Sequence, residues 1–138
     1  MLTDQRKLII DKLKELKEDG LVTVESFANQ LKDENAVKFF VKRMPAVLVS
    51  LPVVRCTPSS DYGLFSVNLD YEVYLFLNSL QSQEIGIEKV EDLIILVAEK
   101  LIELDRFTLQ EFVPIHQEYP LTIYCGRITT KTSKELGE

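Results

Sequence analysis

The chain contains no tryptophan, a single histidine and only two cysteines. Each scarcity removes a class of function. Cys56 and Cys125 cannot supply the four-ligand set of a structural zinc site, and no CxxC, HExxH or DxDxDG spacing occurs. No metal or cofactor is therefore expected. A glycine-rich phosphate loop is missing as well; the chain holds five glycines, none grouped. No apolar run approaches the roughly 20 residues that span a bilayer, so no membrane partner is expected. The opening Met1-Leu2-Thr3-Asp4-Gln5-Arg6-Lys7 turns charged at once and lacks the apolar stretch of a secretory signal. Read that way, the chain is made in a reducing cytosol and its cysteines are two free thiols. An excess of positive charge is missing too. Sixteen Lys and Arg stand against 22 Asp and Glu, a net charge of −6, which argues against binding nucleic-acid phosphates. Lys38, Lys42 and Arg43 lie close together, but Asp33 and Glu34 sit beside them, as on a solvated helix face.

What is present is a folded-protein composition: 46% hydrophobic and 28% charged over 138 residues, enough for one core without staples. The clearest pattern runs from Phe65 to Leu77. Phe65, Val67, Leu69, Tyr71, Val73, Leu75 and Leu77 alternate with Ser66, Asn68, Asp70 and Glu72. Successive strand side chains point to opposite faces, so this is one long strand with a dry face. Tyr74 and Phe76 make the second half apolar on the other face also. That half needs a cover, from this chain or from another subunit.

Helical spacing of Leu2, Ile9, Leu13 and Leu16 predicts a first helix, capped by Thr3 or Asp4 and ended at Gly20. Leu21–Val24 is β-prone. A short helix is expected from Asp33 or Asn35 to near Met44, where Pro45 stops it. Ala46–Val54 reads as a strand covered on both faces, with Pro52 marking an edge, a bulge or its end. Arg55–Gly63 has loop composition, so the two strands form a hairpin with a long tip. A stronger helix is predicted over 87–104, with Ile87, Val90, Ile94, Val97, Ala98, Leu101 and Leu104 on one stripe. Leu93, Ile95, Leu96 and Ile102 widen that stripe beyond what a sheet face needs. Residues 106–119 have no clear period apart from Phe107 and Leu109, and Leu121–Ile128 reads as a last strand.

The element order predicts an α+β domain over residues 1–130, a mainly antiparallel sheet with helices packed on one face. Residues 131–138 read as a frayed polar tail. The odd-numbered face of the 65–77 strand should meet helix 87–104.

No residue set argues for an enzyme. His116 could serve Cys56 or Cys125 as a base, but nothing resembles a nucleophile elbow. Asp70 with Glu72, and Glu91 with Asp92, read as solubilising groups. The set Tyr74, Phe76, Leu93, Leu96 and Ile102 reads either as an oligomer interface or as surface covered by the chain's own helices or last strand.

Met44-Pro45-Ala46-Val47-Leu48-Val49, then Tyr71-Glu72-Val73-Tyr74-Leu75-Phe76-Leu77, then Gly86-Ile87-Glu88-Lys89-Val90-Glu91-Asp92-Leu93, together resemble the small tail proteins of Mu-like contractile-tailed phages and prophages. The order of elements also resembles the tail-terminator fold. The resemblance implies a structural, non-enzymatic role in virion tails, with assembly in the bacterial host cytoplasm. It implies a ring, commonly of six subunits, that stops growth of the tail tube, with tube and neck proteins as partners. It transfers no catalytic residue. The alternative is a monomeric or dimeric α+β domain that binds a small molecule or peptide.

Overall fold

A computed structural model describes residues 2–58, 64–78, 83–104, 107–118 and 121–135, with side chains over 5–58, 67–78, 91–104, 107–116 and 121–129. The first helix, α1 (Leu2–Lys14), tightens into a 3-10 turn over Glu15–Asp19. Gly20 then takes a φ of 115°, the left-handed geometry that glycine adopts without steric cost. The side chains of Thr3 and Asp4, the expected caps, lie outside the described residues. Leu21–Val24 resolves into a short strand, β1 (Thr23–Ser26). Asp33 caps α2 (Glu34–Val41), its Oδ1 accepting from the Ala36 N–H at 2.8 Å. There follow β2 (Ala46–Val49), β3 (Val53–Pro58), β4 (Leu64–Asn78), α3 (Gln83–Ile102), β5 (Phe107–Glu118) and β6 (Leu121–Glu135).

These make an α+β fold around a mostly antiparallel six-stranded sheet. Its path is β1-β2-β4-β6-β5, with β3 also paired to β4, on the same edge as β2; only β1 and β2 run parallel. The expected single strand 46–54 thus divides. Ser50 closes the gap: its N–H donates to the Glu72 carbonyl at 2.9 Å, and its Oγ accepts the Glu72 N–H at 3.0 Å. Pro52 lies in the break. The expected loop begins later than composition suggests, because residues 53–58 pair with 65–70 of β4.

The main core lies where the alternation predicts. Leu69, Tyr71, Val73, Leu75 and Leu77 of β4 pack with Ile9, Leu13 and Leu16 from the α1 region and with Leu93, Val97 and Leu101 of α3. Lys12 pairs with Glu103 at 2.8 Å and Lys100 with Glu15 at 3.3 Å, tying the two helical segments together at the surface.

Three features differ from the sequence reading. Helices are not confined to one face: α2 lies on the other, where Phe40 packs edge-on against Phe76 at 5.1 Å and joins Ala46 and Leu48 in a second core. The hard-to-read segment is a full strand, β5, whose alternation is broken by register shifts between Leu109 and Glu111 and between Pro114 and His116. Finally, β6 continues through Lys131–Glu135, pairing with Leu64–Asn68, where a frayed tail was expected; a ladder needs only backbone groups, so polar residues sustain it.

Candidate functional site: the open sheet face and its two margins

On the α2 side of the sheet, among the described residues, one corner is roofed. Phe27 meets Tyr74 edge-on at 5.5 Å, and Phe27, Phe40 and Met44 enclose Phe76 and Tyr74. Register extends this face away from the roof. Cys125 lies opposite Tyr74, Arg127 opposite Glu72 and Thr129 opposite Asp70; on β5, Val113 lies opposite Cys125, Glu111 opposite Arg127 and His116 opposite Ile123.

Two polar knots sit on this floor. In the first, the Glu72 carboxylate accepts from the Tyr74 hydroxyl and, at 3.7 Å, from the Cys125 thiol. Burial, reinforced by the Glu72 carboxylate, raises both the Tyr74 and the Cys125 pKa above their ordinary values. In the second, buried Asp70 accepts from Thr129 Oγ1 at 2.8 Å and pairs with Arg55 of β3 at 2.7 Å. The sequence reading treated Asp70 and Glu72 as solubilising groups. Both instead bind strands together, and the signal available was that Asp70 stands opposite Thr129 and Glu72 diagonally across from Cys125, visible only once register is known.

The predicted interface residues separate. Phe76 is 2% exposed and Leu93 7%, so both are spent on the chain's own cores; Leu96 packs against the main core and Tyr74 against the second. Ile102, at 66% exposed, remains outside. The apolar side chains that reach solvent are mostly others. Leu51, Val53 and Val54 stand at one margin of the sheet, Val113 and Ile115 at the opposite margin, Phe39 on α2 and Ile95 on α3.

Cys125 is not poised as a nucleophile. A nucleophilic cysteine works as thiolate, and Cys125 is pushed the other way. Among the described residues no hydrogen bond joins either cysteine to His116, and no group of three His, Cys, Asp or Glu could hold a metal. Cys56 and Cys125 are free thiols. Among the described residues no helix is long and apolar enough to cross a membrane.

Backbone direction adds a feature of the margins. The Ser50–Glu72 bond points the Glu72 backbone toward the β2–β3 edge. Alternation along the unbroken β4 register then directs Val53 and Arg55 inward to β4 and leaves Val54, Cys56 and Pro58 facing outward. Carried across β6, it leaves Phe112 and Pro114 facing outward from β5. Pro58 and Pro114 therefore lack an N–H only where none is used within the sheet, which also blunts both edges against indiscriminate pairing. A scan against protein-family models finds no match for the chain, and no curated protein matches it either.

Proposed function

We propose that this chain is a structural protein of phage or prophage tail assembly, a terminator or neck component acting as a ring at the end of the tail tube. It works by surface complementarity, in the virion tail, with copies of itself and with tube and neck proteins as partners. The observation that carries the reading is the pair of exposed apolar margins on opposite sides of one sheet, Leu51-Val53-Val54 and Val113-Ile115. A closed ring needs two different surfaces per subunit, and opposite margins provide them. The order of elements that resembles small Mu-like tail proteins supports the same reading.

The test adds the purified chain to polymerising tail-tube protein. Tubes should stop growing and carry one added ring at one end under electron microscopy. Tubes that lengthen without limit and show bare ends would sink the proposal.

A further inference from the structure

Resting on the ring reading, we infer that β3 of one copy docks on β5 of the next, continuing the sheet from subunit to subunit. Strand directions permit it. β3 runs parallel to β6 and therefore antiparallel to β5. A second copy set beside the first with its strands running the same way thus presents β5 antiparallel to β3, the better-paired arrangement.

Side chains select a register. Opposing Val53 to Val113 places Arg55 opposite Glu111, with all four on the open face. Val54 then opposes Phe112, and both direct their free backbone groups outward. Val53 is 52% exposed and Val113 41%, so each has apolar surface left to cover. The Arg55 side chain is 63% exposed while bonded to Asp70, and its guanidinium has donors to spare for Glu111. Leu51 and Ile115, both more than half exposed, fall together at one end of the contact. Pro52 and Pro114 also fall at that end and stop the ladder after the Val54–Phe112 rung; the neighbour's β5 must leave the sheet plane at its Pro114–His116 register shift, because β1 fills the next place beside β2. Specificity therefore rests on the Val-Val and Arg-Glu matches, not on an extended backbone ladder. All six residues of β3 are exposed, and a neighbour at this margin would cover them.

Cysteine pairing tests the register. In a Cys56→Ser, Cys125→Ser background, which also removes the thiol directly opposite position 113, chains carrying Val53→Cys are mixed with chains carrying Val113→Cys at high concentration and mildly oxidised. Within one chain the two positions are three strand spacings apart, about 14 Å, too far for a disulfide, which needs Cα atoms within about 7 Å. The mixture should give about tenfold more covalent dimer than either variant alone, because only the pair meets that distance. Placing both cysteines in one chain should give a covalent ladder up to the closed ring. Equal yields in the mixture and the single variants would overturn the contact. As a second arm, Val113→Asp should weaken self-association by about tenfold or more while melting unchanged; normal assembly would also overturn it. The two readings fail separately. Rings that form on tubes without the 53–113 cross-link remove this contact and keep the tail role, whereas cross-linked rings that never cap a tube do the reverse.

Discussion

Gly126 offers the sharpest check on the packing of the sheet. It sits on β6 between Val73 of β4 and Phe112 of β5, and the Phe112 ring lies over it. A Cβ added there would stand 2.3 Å from Phe112 Cε1 and 2.6 Å from Cζ. Carbon atoms settle at about 3.5–4.0 Å, so the ring must move by more than about 1 Å. Overpacking of this kind costs about 1–3 kcal/mol, offset by about 0.5–1 kcal/mol because alanine gives up less backbone freedom than glycine. Gly126→Ala should therefore destabilise by about 1–2 kcal/mol in urea unfolding. In a Phe112→Ala background the clash is gone, and the same change should be neutral or stabilising. A double-mutant cycle isolates the coupling. A value under about 0.5 kcal/mol, the size of ordinary additivity error, would refute the ring-over-glycine contact.

Other consequences follow from the two cores and the two polar knots. Phe76→Ala should cost about 3–5 kcal/mol by urea unfolding and open the segment around α2 to protease, since Phe40 loses its edge-on partner; intact resistance there would contradict the second core. Arg55→Met leaves buried Asp70 with Thr129 as its side-chain partner among the described residues and should cost about 1–3 kcal/mol. Hydrogen exchange over 53–58 should quicken with it, and unchanged protection would mean that the ladder alone holds β3. Because the Cys125 pKa is raised on folding, chiefly by burial and then by Glu72, its neutral form is the one the fold favours. That contribution is complete below the ordinary thiol value of 9.0 and is lost as pH rises above it. Iodoacetamide rates at Cys125 should accordingly rise at higher pH in the folded chain than in urea, and Glu72→Gln should move that curve down.

The legible parts of this fold are those whose period survives in the chain. β4 keeps strict alternation over its described length, and its odd residues mark the main core because one side never changes register. β5 was opaque because two bulges shift the phase of its side chains inside twelve residues. The position of α2 was hidden for another reason: eight residues give too short a stripe to say which sheet face they meet, and the Phe40–Phe76 contact joins distant parts of the chain. Tyr74 and Phe76 were read as needing a cover, and the chain supplies it through Phe27 and Phe40. The margins were missed because exposure of Val53 or Val113 depends on which strand is last in the sheet, a property of topology that no local pattern carries.

β4 is fifteen residues long, about 50 Å of extended chain. Its Val73–Leu77 end is packed by helices on both faces, while the Leu64–Asn68 end is paired with β3 and β6, with Val67 at the border of the main core. Mechanically it is a beam clamped at one end. A load taken up at the Val53–Pro58 side travels inward along the strand, and the Arg55–Asp70 and Ser50–Glu72 bonds are the first struts it meets. Whatever seats itself on that thin end can thereby stiffen or twist the whole subunit without touching a helix.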